Sequence, residues 1–292
     1  MKYIWRRKVL IIAAIIILML LVYISIELYR SKSLLRVSVS EISSEKISDE
    51  IRIVQLSDNH NSVFGEDNQK LIGLVEEQNP DLILVTGDLV NSDEDNTDIA
   101  TNLIASLCDI APVYVSPGNH EVEYQNNYKT DLLQMYEEAG AIVLDKQYKD
   151  IVIKKQQIRL GGIYGYCLPA KYLETNEADP EECEFLTDFQ NTERYTILMC
   201  HIPVCWLIND GLNEWDIDCI FAGHAHGGQI QIPFIGELWA PDQGWFPGRE
   251  SGLYYSDDNS KVLVLSRGLG SNEKIPRFNN SPEIVVVDLI PK

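Results

Sequence analysis

The longest hydrophobic feature of the chain comes first: Val9 to Ile26 runs without a single charge. With its flanks the run reaches the ~20 residues a helix needs to cross a bilayer core. After it the pattern breaks into short blocks. Ile51, Ile53, Val54 and Leu56 form an apolar run closed by Ser57-Asp58-Asn59-His60. Leu82-Ile83-Leu84-Val85 is closed by Thr86-Gly87-Asp88, and Val113-Tyr114-Val115 by Ser116-Pro117-Gly118-Asn119-His120-Glu121. Between these runs apolar residues recur at helical spacing over 67–78 (Leu71, Leu74, Val75), 97–108 (Ile99, Leu103, Ile104, Leu107) and about 126–139 (Leu132, Leu133, Met135, Tyr136). Asn79-Pro80 stops the first helix and Gly140 is placed to cap the third. Strand–helix alternation with strands apolar on both faces predicts an α/β fold. The polar residues fall just past the C-terminal ends of the strands, where open α/β sheets place their ligands.

The second half reads differently. Ile151–Ile153 and Ile158–Leu160 predict a hairpin around Lys154-Lys155-Gln156-Gln157. Residues 164–195 are acidic, contain Pro and show no period, which predicts an insertion loop. Thr196–Cys200 is a strand ending at His201, and Ile217–Ala222 a strand ending at Gly223-His224; shorter β segments follow at 229–232, 262–266 and 284–289. Trp239, Trp245 and Phe246 are expected to pack in the interior, with a substrate wall or a membrane contact as the rival roles. Residues 30–49 suggest a stalk. The predicted organisation is therefore an anchor over 1–29, a linker over 30–49 and one folded domain over 50–292.

Charge sharpens this division. The chain carries a net −20, yet residues 1–36 hold seven Lys/Arg against Glu27 alone. The remainder is strongly acidic and has no basic stripe, which argues against nucleic acid as a partner. Lys2, Arg6, Arg7 and Lys8 precede the apolar run, whereas Arg30, Lys32 and Arg36 follow it beside Glu27. That bias predicts a cytoplasmic N-terminus and a folded domain outside the cell membrane, held by a single pass. A cleaved signal peptide fits less well, because the run is long and no Ala-x-Ala follows it. Six cysteines without a CxxC give neither a disulfide scaffold nor a cysteine metal site; Cys167 and Cys183 are the one pair placed to bridge.

All five histidines (His60, His120, His201, His224, His226) stand at or just past predicted strand ends. Any one histidine is more often a surface or hydrogen-bonded core residue. Five at strand ends, beside Asp58, Asp88 and Asn119, instead suggest imidazole and hard oxygen donors around divalent ions such as Mn, Fe or Zn. On an extended backbone His224 and His226, at i and i+2, would aim both rings to one side.

These residues resemble, in order and spacing, the five motifs of the calcineurin-like metallophosphoesterases: Asp58-Asn59-His60, Gly87-Asp88, Gly118-Asn119-His120-Glu121, His201 and Gly223-His224-Ala225-His226. The stretches His226–Ile230, Ser266–Gly270, Pro276–Phe278 and Pro282–Ile284 are similar to a membrane-associated, YkuE/YaeI-like branch of that family. The resemblance covers about residues 50–290. It implies a sandwich of two mixed sheets flanked by helices, and two divalent metal ions bridged by Asp88. Asp58, His60 and His226 would complete one site, and Asn119, His201 and His224 the other. It also implies cleavage of a phosphodiester or pyrophosphate by a metal-bridging hydroxide, with His120 beside the phosphate. Arg267 and Arg277 could bind the phosphate or form structural ion pairs. The substrate is then a phosphoester or pyrophosphate, lipid-linked ones included. The alternatives are a phosphomonoesterase or protein phosphatase and, less in keeping with the full ligand set, a non-enzymatic metal-binding scaffold.

Overall fold

The computed structural model describes residues 2–164, 172, 175, 183–207, 210–240, 244–271 and 276–292. Among these, strands β2 (Ile51–Leu56), β3 (Leu82–Val85) and β4 (Val113–Val115) lie parallel and adjacent. Helices α2 (Gln69–Glu76) and α3 (Asp98–Cys108) connect them. The sheet is completed to six strands in the order β1-β16-β2-β3-β4-β5, with β1 at Arg36–Ser44, β5 at Ile142–Val143 and β16 at Glu283–Pro291. A second six-stranded sheet runs β14-β15-β9-β8-β7-β6. Its members are β6 (Gln147–Ile153), β7 (Gln156–Ile163), β8 (Tyr195–Cys200), β9 (Cys219–Ala222), β14 (Gly252–Tyr255) and β15 (Val262–Leu265). Both sheets are mixed, because β16 is antiparallel to β2 and β6 to β7.

The continuous apolar strands are explained by the layers on either side of them. In β3, Leu82 and Leu84 enter the core between the two sheets, where they join Ile53, Leu160, Ile197, Phe221 and Val287. Ile83 and Val85 point the other way, onto α2 and α3 through Leu71, Val75, Leu103 and Leu107. A strand sandwiched on both faces must be apolar at every position. Gln55 is the buried polar exception: its amide donates to Thr86 Oγ1 (2.9 Å) and to the carbonyl of Ala222 (2.8 Å), joining the ligand-bearing ends of the two sheets.

Four expectations change. The helical pattern over 126–139 is two helices, α4 (Asn119–Tyr128) and α5 (Leu132–Glu138), because Lys129 takes a left-handed turn and Asp131 caps the second. Residues 30–49 include β1, a nine-residue strand paired in parallel with β16 from Arg36↔Glu283 onward, so this segment is built into the sheet. The acidic stretch 164–195 ends in a helix, α6 (Glu184–Phe189), whose Leu186 and Phe189 are buried, and the Cys167–Cys183 pairing lies outside the described residues. Trp245 and Phe246 are exposed rather than packed inside.

The N-terminal helix α1 runs Lys2–Ser33 and is long and apolar enough to cross a membrane, with none of its most apolar window buried. Only its last turns touch the domain. Ser31 is buried and its Oγ accepts from the backbone N–H of Asn280 (3.1 Å), while Tyr23 meets Phe278 edge to face at 6.0 Å.

Candidate metal centre

Five strand ends deliver the chemistry to one place. Asp58 and His60 follow β2, Asp88 follows β3, Asn119 and His120 open α4 after β4, His201 follows β8, and His224 and His226 follow β9. The turns that turn these side chains inward are tight. Asp58, His60, Asp88, His224 and His226 all have left-handed backbones, with φ between 46° and 67°. Such conformations cost on the order of 1–3 kcal/mol each for a non-glycine residue and cluster at functional sites. The extended geometry expected for His224 and His226 is therefore absent: His226 begins a short 3-10 turn, His226–Gly228, and the two rings diverge.

They diverge into two clusters. Asp58, His60 and His226 bring one ligand atom each within 4.8 Å of one another, and so do Asp88, His201 and His224. Asp88 joins the clusters, since its Oδ2 lies 3.8 Å from His60 Nε2 and 3.1 Å from His201 Nε2. Its other oxygen accepts from the backbone N–H of His120 at 2.8 Å. Asn119 contributes a buried Oδ1 without a hydrogen-bond partner in the protein, and both ring nitrogens of buried His60 are likewise unpartnered. Buried polar atoms left in this state cost roughly 1–3 kcal/mol each. A cation among them removes that cost, and a mixed imidazole, carboxylate and amide-oxygen set suits divalent first-row metals. The residues fit the ions.

Protonation agrees. Burial holds His60 down at about 4 and His226 at about 3, so both are neutral and have a lone pair to give. For Asp88 burial opposes ionisation, yet His201 and His60 outweigh it and keep the group well below the usual carboxylate range. His201 hydrogen-bonds the carbonyl of Thr86 through Nδ1 at 2.6 Å, which directs Nε2 at Asp88. Burial lowers this ring's affinity for a proton, but Asp88 raises it to about 10. A metal ion and a proton compete for that lone pair.

A third cluster, His60, Asp88 and His120, is equally close. His120 differs in its partner: the backbone N–H of Ser92 donates to its Nδ1 at 3.1 Å. In the neutral ring the proton then sits on Nε2, which has no lone pair for a metal.

Two glycines are required by close approach. A Cβ on Gly118 would strike Asp88 Oδ1, and one on Gly223 would strike Ser57 Oγ and Asp58 Oδ2. Glu121 holds the loops around them. Its buried carboxylate accepts from the N–H groups of Asp88 (2.7 Å), Leu89 (2.7 Å) and Gly118 (2.8 Å), and from the Tyr136 hydroxyl (3.2 Å). No local pattern in the sequence marks this role, because the partners are backbone groups. Asn280 was also missed: its amide donates to the carbonyl of His226 at 2.6 Å.

Arg277 reaches the candidate ligand His226, with Nη2 3.4 Å from its Nδ1 and Nη1 3.5 Å from its carbonyl. Arg277 is buried and donates to the carbonyls of Gly270 (2.7 Å) and Arg267 (2.6 Å). Arg267 lies 3.9 Å from Glu283 and donates to Asn280 at 3.4 Å. Arg267 beside Glu283 has the geometry of an ion pair, whereas Arg277 is held by carbonyls and by His226.

Two sheets back to back, with ligands at their C-terminal strand ends, define a metal-dependent hydrolase scaffold. Residues 51–228 match the model of the calcineurin-like phosphoesterase family, and the chain belongs to that family. A relative in Campylobacter jejuni, described as an uncharacterized metallophosphoesterase, is 30% identical over 85% of this chain, which spans 62% of that protein's length. Phosphodiesterase YaeI of Escherichia coli is 26% identical, covering 75% of this chain and 74% of its own. Metallophosphoesterase YkuE of Bacillus subtilis is also 26% identical, over 82% and 79%. Among solved structures, a 5'-nucleotidase precursor of Thermus thermophilus superposes with a TM-score of 0.51 at 13% identity over 83% of this chain and 54% of its own, a likeness of fold alone. The protein is thus a metallophosphoesterase of the branch that includes YaeI and YkuE.

Proposed function

We propose that the protein is a membrane-anchored, dinuclear phosphohydrolase that cleaves phosphodiester or pyrophosphate bonds. The observation that carries this reading is Asp88 Oδ2, which faces His60 and His201 at once and so stands between two ligand clusters. Asp58, His60 and His226 hold one ion with Asp88; Asn119, His201 and His224 hold the other. Two divalent ions bound there supply an activated water and neutralise charge on the phosphoryl oxygens. His120 presents Nε2–H to the leaving oxygen as a hydrogen-bond donor and stabilises the charge that grows there as the P–O bond breaks; water then protonates the departing oxygen. The E. coli relative named a phosphodiesterase supports the diester assignment. The uncovered apolar α1 and the excess of cations before it support an anchor with the domain outside the cytoplasmic membrane.

The test is the full chain in detergent with Mn²⁺, assayed on bis(p-nitrophenyl) phosphate, a pyrophosphate and p-nitrophenyl phosphate. Turnover of the first two with about two ions per chain is expected. Good monoester hydrolysis without diester or pyrophosphate cleavage overturns the substrate assignment. Metal content below one ion per chain overturns the dinuclear one.

A further inference from the structure

The anchor helix does more than end near the catalytic domain: it walls the cavity that leads to the metal ligands. A cavity of roughly 780 Å³ is lined on one side by Leu28, Ser31 and Lys32 of α1 and on the other by His60, Asn91 and Arg277. Ser31 is fixed there by the N–H of Asn280, whose side chain holds the carbonyl of His226. Helix and metal loop are therefore one assembly.

Their depth follows from helix geometry. The apolar run ends at Ile26, so at 1.5 Å per residue Leu28 lies about 3 Å and Lys32 about 9 Å beyond it. The polar headgroup layer on one side of a bilayer is roughly 5–8 Å thick. The cavity wall thus sits at headgroup level. Tyr23, three residues inside the run, touches Phe278, which places an aromatic of the folded domain at the edge of the hydrocarbon layer, just below that wall. Phe278 continues through backbone hydrogen bonds to Gln231, and Ile230 through Leu238 to Phe246. Phe234, Ile235, Trp245 and Phe246 on these connected segments are exposed, as aromatic and aliphatic groups at a membrane interface are.

We propose that the site draws its substrate from the bilayer: an amphiphilic phosphoester whose phosphate passes along the α1 wall to the metals while its chains stay beside Leu28. Lys32, exposed at the rim, attracts the anionic headgroup. This rests on the phosphohydrolase reading above.

The experiment uses the full chain with Mn²⁺ in dodecyl maltoside micelles, with bis(p-nitrophenyl) phosphate as reporter and two competing phosphates. Phosphatidic acid carries acyl chains; glycerol 3-phosphate has the same headgroup without them. Phosphatidic acid is expected to inhibit at a concentration at least tenfold lower. Leu28→Asp and Lys32→Glu should each shrink that ratio at least threefold. Equal inhibition by the two phosphates overturns the proposal. An undiminished ratio in both variants also overturns it, because the tether alone then accounts for the preference. If Leu28→Asp does not fold, Lys32→Glu decides. Failure of the wild-type chain to turn over the reporter or any other phosphoester strikes the phosphohydrolase reading itself, and the inference falls with it.

Discussion

Ser92 donates its backbone N–H to Nδ1 of His120 at 3.1 Å, and this bond decides what the histidine can do. A ring that accepts at Nδ1 carries its proton at Nε2. His120 is thereby set apart from the other four histidines: its ring can offer a hydrogen bond through Nε2–H, and its backbone N–H on Asp88 Oδ1 fixes it beside the ligand clusters.

His120→Asn should lower kcat by about 10²–10⁴-fold with both ions retained. The loss should be smaller for p-nitrophenolate esters, whose leaving oxygen carries its charge with little help, than for alkyl esters. Asp88→Asn should remove activity and metal together. Parallel kinetics and metal analysis check the pair; equal metal loss in both variants would falsify the division of roles.

Glu121→Ala leaves three buried N–H groups without their acceptor, at roughly 1–3 kcal/mol for each that finds no substitute. A urea midpoint well below wild type is expected, with weaker metal binding, since Asp88 and the start of α4 lose their common support. Glu121→Gln retains one acceptor oxygen and should fall between the two.

Removing metal should destabilise the fold. The buried carboxylates of Asp58 and Asp88 then have only protonated His201 as counter-charge, and the His60 nitrogens lie beside them unpartnered. A ligand present at 100 times its Kd adds about 2.7 kcal/mol to stability. EDTA should lower Tm by several degrees, Mn²⁺ should restore it, and Asp88→Asn should abolish the difference.

Glu250 is buried with neither carboxylate oxygen hydrogen-bonded, and burial with nearby Glu237 pushes it up to about 8. An unfolded glutamate titrates near about 4.3. Between those values the unfolded chain has lost a proton that the folded chain keeps, so stability falls as pH rises from about 4 to about 8 and then levels. Glu250→Gln removes this dependence. Its Tm should exceed wild type by several degrees at pH 8.5 and converge with it near pH 4; a constant offset across that range would show that the carboxyl does not titrate in the window.

Much of this was legible in the linear pattern. The apolar blocks marked β2, β3 and β4 because strands covered on both faces admit no polar residue, and Gln55 is the exception only because it bonds across the sheets. Asp58, His60, Asp88, Asn119 and His120 could be named because oxygen and imidazole donors stand just past those blocks, and His201, His224 and His226 because they follow the apolar runs of β8 and β9. The single helix over 126–139 was misread because apolar spacing carries no mark of the left-handed turn at Lys129.

What the sequence determined alone is the identity and order of the donors, since strand ends are local features and imidazole and carboxylate chemistry belongs to the residue. What only the tertiary structure decided is how those donors are brought together into adjoining clusters. His224 and His226 part company because left-handed turns, stabilised by contacts from distant segments, override the alternation that neighbours on an extended chain would have. Likewise the fate of Arg267 and Arg277, the grip of Glu121 on three backbone groups and the closing of the cavity by α1 depend on partners up to some 250 positions away. No local pattern encodes a contact at that separation.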